Sequence, residues 1–161
     1  MNADSNPIKL TPAAELLVAQ EEIVEIFGIL DDWTDRYQYI IDLGRQASPF
    51  PESWKNEKYR LKGCQSQVWI VTEMEEGRMK IHATSDSAIV AGLVALLVKV
   101  YSDRRPADIV ATPPDFIKRI QLEDHLSPTR SNGLSAMVQQ IRQTAVEALA
   151  GRTLSPPPAR E

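Results

Sequence analysis

From Ser87 to Val98 the chain carries no charged residue, and Ile89, Val90, Leu93, Val94, Leu96 and Leu97 crowd into that one stretch, with Val100 just beyond it. The run falls well short of the roughly 20 residues that a bilayer span requires. As a helix it is apolar on nearly every side, so other elements must cover it on every side. It therefore predicts the central helix of a core, opened by the polar cap Thr84-Ser85-Asp86-Ser87, and obliges the rest of the chain to form a shell around it.

Candidates for that shell lie on both flanks. Thr11-Pro12 reads as an N-cap followed by a first-turn proline, after which Leu16, Leu17, Ile23, Ile26, Phe27 and Leu30 recur near helical spacing. Asp31-Asp32 interrupts, and Trp33, Tyr37, Ile40 and Ile41 then define a second helix, with Gly44 as its expected stop. Ser48-Pro49-Phe50-Pro51 cannot continue it and begins a loop that runs to about Glu57. Segments 59–61, 67–74 and 78–83 read as strands, the last two joined as a hairpin through Glu75-Glu76-Gly77. Met79, Ile81 and Ala83 alternate with Arg78, Lys80 and His82, which sends His82 to the polar face. Past Arg104-Arg105-Pro106, short helical pieces are expected over 107–110 and 115–120. A final helix follows, capped by Ser131, carrying Leu134, Met137, Val138, Ile141, Ala145 and Leu149, and stopped by Gly151. This order predicts an α+β fold, a small antiparallel three-stranded sheet packed against several helices, rather than alternating βαβ units. The expected organisation is a flexible N-terminus (1–10), one domain (11–151) and a proline-rich disordered tail (152–161).

Composition removes several classes of function. In 161 residues, 22 acids and 18 bases are mixed along the chain for a net charge of −4, so no basic stripe is available for a phosphate backbone and no nucleic-acid partner is expected. Gly-x-Gly-x-x-Gly and P-loop patterns are absent. The N-terminus shows neither a signal-peptide nor a transit-peptide pattern, which leads to the expectation of a cytoplasmic protein with no membrane partner. Cys64 is the sole cysteine, so no internal disulfide can form. With only His82 and His125 as imidazoles, no metal site is expected.

The segment Lys62-Gly63-Cys64 places that thiol on a glycine bend just before a strand. Three readings stay open on the residues alone: a small core side chain, a hydrolytic nucleophile with His82 or His125 as its base, or a thiol that carries a group. Arg60 and Lys62, if turned toward the sulfur, favour its thiolate. Asp86 reads equally as an acid at a helix N-terminus, and Trp69 reads as core.

Gly63-Cys64-Gln65-Ser66-Gln67-Val68-Trp69-Ile70-Val71 closely resembles the signature of the SufE family of sulfur-acceptor proteins. Further similar blocks follow in the family's order: Trp33 with Arg36-Tyr37 and Tyr39 to Gly44, Ser85 to Val90 with Gly92-Leu93, and His125 to Ser131 with Gly133-Leu134. The resemblance runs from about Leu16 to Leu149. It implies a SufE/NifU-like fold and an accessory, sulfurtransferase-like protein without turnover of its own. Cys64 is then the persulfide-forming nucleophile, with Gly63, Gln65, Ser66 and Gln67 positioning its loop, and Asp86, Arg130 and His125 making partner or resting-state contacts. The implied partners are a cysteine desulfurase (SufS-like), which carries pyridoxal phosphate while this chain binds no cofactor of its own, and an iron–sulfur scaffold complex (SufBCD-like). A related acceptor for a different desulfurase, a cysteine hydrolase and a cluster scaffold remain the alternatives, and both a monomer and a homodimer are compatible.

Overall fold

A computed structural model of the protein describes residues 10–152 and 154. The expected flexible N-terminus and proline-rich tail fall, apart from residues 10, 152 and 154, outside the described residues.

Helix α1 (Pro12–Ile29) starts where the sequence predicts, with Thr11 Oγ1 accepting the Ala14 N–H at 3.2 Å. Helix α2 (Trp33–Gln46) is capped by Asp32, whose Oδ1 accepts the Asp35 N–H at 2.9 Å. The apolar run forms α3 (Ala88–Tyr101), with Val90, Leu93, Val94, Leu96, Leu97 and Val100 all buried, and it packs against α2, the sheet, α1 and the last helix.

The crossing of α2 and α3 corrects the role expected of Gly44. A Cβ on Gly92 would lie 2.2 Å from the Ile40 carbonyl oxygen, and one on Gly44 would lie 2.8 Å from the Gly92 nitrogen. Gly44 is therefore a contact point inside a helix that continues past it, since only the missing side chains let the two backbones approach so closely.

Strands β1 (Val68–Glu75) and β2 (Arg78–Ser85) pair antiparallel, from Val68 opposite Ser85 to Glu75 opposite Arg78. The two residues between them, Glu76 and Gly77, have φ of 50° and 79°, the left-handed pair that a tight hairpin turn uses to follow strand twist. Among the described residues the sheet has two strands rather than the three expected. Segment 59–61 does reach β1, with the Leu61 N–H bonded to the Val68 oxygen (2.8 Å) and the Ile70 N–H to the Tyr59 oxygen (3.0 Å), yet only Arg60 opposite Trp69 forms a bridge. The Tyr59 and Arg60 N–H groups turn back onto Asn56 and Glu57, and the Gly63 bend carries the chain away after Lys62, so pairing cannot extend at either end.

The segment between α2 and β1, expected as plain loop, holds a 3-10 turn at Glu52–Trp54 that seats Trp54 fully buried, edge-on to Phe50 and His82. His82, expected on the polar face, is itself half-buried, with its Nε2 2.8 Å from Glu73 Oε2. After α4 (Pro106–Ala111), α5 (Asp115–Arg119) and a 3-10 turn at Glu123–His125 comes α6 (Pro128–Leu149). Its cap is Ser127, whose Oγ accepts the Arg130 N–H at 3.2 Å, with Pro128 as first helical residue, so the helix begins earlier than a Ser131 cap implies. Gly151, at φ 77°, follows its end as expected. Among the described residues no helix is long and apolar enough to cross a membrane.

Candidate functional site

Gly63, at φ 94°, turns the chain ahead of Cys64 in a conformation that a side chain would strain. The turn lays the thiol on α6. Cys64 is half-buried, its S–H is directed to the Gly133 carbonyl oxygen at 3.7 Å, and a Cβ on Gly133 would come within 3.2 Å of the sulfur. Gly133 thus opens a notch in the helix surface that the thiol occupies.

Beneath the loop lies a cavity of about 390 Å³. Val90 and Leu93 of α3 and Met137 of α6 supply buried apolar walls, while Ser127, Thr129 and Arg130 form an exposed polar rim. Cys64, Gln65 and Ser66 close it from the loop side. Two helices distant in sequence therefore meet under a single sulfur.

The far end of the loop is tied down. The Gln67 N–H donates to Asp86 Oδ1 (3.0 Å), the Asp86 N–H donates back to the Gln67 oxygen (3.2 Å), and the Ser85 hydroxyl donates to that same oxygen (2.7 Å). Asp86 thus spends its carboxylate on the cysteine loop. The N-cap of α3 is Ser87, which makes no side-chain cap bond.

Burial pushes the Cys64 thiol above its ordinary pKa, because the apolar surroundings disfavour the thiolate. The condition under which Arg60 and Lys62 would favour the thiolate is not met. Arg60 is paired with Glu57 at 3.2 Å, and both basic residues line a separate groove instead of the thiol's cavity.

Of the site residues expected from sequence, Gly63, Cys64, Gln65, Ser66, Gln67, Asp86 and Arg130 come together around the loop and cavity. His125 does not line that cavity. Its ring stacks on Trp33 with centroids 3.8 Å apart, its Nδ1 lies 3.1 Å from the Gln121 oxygen, and its carbonyl accepts the Tyr37 hydroxyl. Neither His125 nor His82 is among the residues around the sulfur, so no imidazole base stands beside it. The notch at Gly133, the Met137 wall and the Ser85 clamp escape a reading of the sequence. A glycine within a strongly helical pattern is the available signal for the first.

Residues 21–145 match the family model described as "SufE: Fe-S metabolism associated domain". The chain belongs to the SufE family. An uncharacterized SufE-like protein of Rhizobium meliloti (strain 1021) is 35% identical over 134 residues, covering 80% of this chain and 96% of that protein. Another, from Rhizobium etli, is 37% identical over 134 residues, covering 80% and 90% respectively. The solution structure of a hypothetical protein from Thermus thermophilus superposes with a TM-score of 0.68 at 22% identity, over 82% of this chain and 96% of that one, which establishes a shared α+β fold.

Proposed function

We propose that this SufE-family chain accepts sulfur on Cys64 from the persulfide of a cysteine desulfurase and delivers it to an iron–sulfur assembly scaffold. In the transfer, the Cys64 thiolate attacks the terminal sulfur of the partner's persulfide. A new S–S bond forms on Cys64, the partner's S–S bond breaks, and the electron pair leaves on the partner's cysteine thiolate, so no external oxidant or reductant is consumed.

The observation that carries this reading is the seating of the sole thiol in a notch above a cavity, on a loop that bends at Gly63 and is tied by hydrogen bonds at Gln67. Such a seat keeps an idle thiol protonated and screened, while a loop held by a few hydrogen bonds can lift to present the sulfur. The apolar walls suit shielding of a carried sulfur from water, and the exposure of Arg130 on the rim supports its role as a partner contact. A hydrolase draws no support from a thiol without an adjacent base. Nor does a scaffold from a donor set in which, among the described residues, no three His, Cys, Asp or Glu side chains gather to hold a metal.

The test is intact mass after incubation with cysteine and a desulfurase. The expected result is a gain of one sulfur atom that reductant removes and that Cys64→Ser lacks. An unmodified chain whose thiol still alkylates readily would overturn the proposal.

A further inference from the structure

A second and larger concavity, about 970 Å³, lies between segment 57–62 and the outer face of α6. It adjoins the cysteine loop, because Ala136 lines it and also lies 3.8 Å from where a Gly63 Cβ would sit. Its charge departs from that of the chain. Against a net −4 overall, this groove gathers Lys58, Arg60, Lys62 and Arg142 with Glu57 as its one acid.

Arg60 is paired with Glu57, and Arg142 is spent on the Val110 and Thr112 carbonyls. Lys58 and Lys62 are exposed, and no carboxylate among the described residues lies within ion-pair distance of either; Lys58 rests over the Tyr59 ring instead, 5.4 Å from its centre. The other wall carries Gln139, Gln140 and Gln143, all exposed amides that can both donate to and accept from a peptide backbone, with one Gln143 N–H directed to Glu147 at 3.5 Å. Ile70, Ala136 and Val146 give the groove an apolar strip, with Val146 45% exposed.

We propose that this groove docks an extended acidic segment of a partner protein, its carboxylates against Lys58 and Lys62 and its backbone against the α6 glutamines. Charge complementarity selects the acidic chemistry, and the glutamine wall selects a peptide. A nucleic-acid strand fits less well, since two free lysines are few for a phosphate backbone and the only aromatic ring present, Tyr59, is half-buried under Lys58. The proposal concerns a surface distinct from the sulfur's seat and does not depend on what Cys64 carries.

The probe is a short polyglutamate peptide, with polyglutamine and polylysine of equal length as controls, titrated at low salt into the isotopically labelled full chain while amide NMR shifts are followed. The expected shifts cluster at Lys62, Ala136, Gln139, Gln140 and Gln143. Affinity should fall roughly tenfold in Lys58→Glu/Lys62→Glu and remain in Lys118→Glu, a control charge on α5. Shifts that are absent, scattered over the surface or indifferent to the double reversal would overturn the proposal. So would tighter binding of a single-stranded RNA at the same amides, or self-association by sedimentation that occupies the same face.

Discussion

Two glycines in the middle of helices admit a close neighbour, and the neighbours differ in kind. At Gly92 the intruder is the backbone of α2, with the Ile40 carbonyl oxygen 2.2 Å from any added Cβ. At Gly133 it is the sulfur of Cys64, 3.2 Å from an added Cβ, at the end of a side chain on a surface loop. A backbone carbonyl held in a packed helix cannot retreat, whereas a loop-borne thiol can. The same residue type in the same secondary structure therefore meets fixed backbone in one place and the tip of a side chain on a surface loop in the other.

The harshest way to break this comparison is Gly92→Ala. Overpacking against fixed backbone should cost about 3 kcal/mol or more, a fall in Tm of roughly 10 °C for a domain of this size, read by thermal denaturation. A near-unchanged Tm would show that the helices can part and that the joint is soft.

Asp86→Ala tests the clamp on the cysteine loop. Loss of the acceptor for the Gln67 N–H should cost about 1 kcal/mol and should raise the alkylation rate of Cys64 several-fold, because the loop leaves its notch more often. Alkylation no faster than in the wild type would place the restraint elsewhere.

The raised thiol pKa makes a prediction in pH. Because the folded value lies above the unfolded one, the neutral thiol's contribution to stability is complete below the unfolded thiol's pKa, about 8.5, and is lost as pH rises through the folded value. The wild type should therefore lose stability relative to Cys64→Ser across that alkaline window, as measured by denaturant titration. Parallel curves would mean that the thiol is not desolvated.

Gly133→Ala should have the smallest effect on stability and the most telling one on chemistry. Alanine gains up to about 1 kcal/mol in a helix interior, offsetting the displaced contact, so the net change should stay within about 1 kcal/mol while the sulfur becomes more reactive to alkylating agents. Strong destabilisation here would make the two glycines alike and end the distinction.

How much of this is readable in advance divides along the range of the interaction. The Thr11 cap and the Glu76-Gly77 turn are readable because caps and hairpin turns are set by neighbours in sequence, whereas Asp32, read only as part of a break between two helices, proves to cap the second. The start of α6 is hidden because Ser127-Pro128 resembles a break when met as a loop, and only the Arg130 N–H on the Ser127 hydroxyl shows it to be a cap. Segment 59–61 has strand-like side chains, but its pairing is cut short by Gly63 and by the turn at Asn56 and Glu57, so it contributes a bridge and no strand. Trp54 gives no periodic signal, being a lone aromatic between prolines and lysines, yet it is fully buried.

By itself the sequence determined a central apolar helix, an α+β order of elements, a solitary thiol on a glycine bend and a family signature around it, all properties of residues near one another along the chain. Only the tertiary structure decided that the thiol faces Gly133 and a cavity shared by α3 and α6, that Asp86 serves the loop rather than the helix end, and that Arg60 and Lys62 line a groove apart from the sulfur's cavity. The reason is physical. Periodicity and capping follow from local backbone geometry, whereas the environment of a side chain depends on how elements far apart in sequence come to lie against each other.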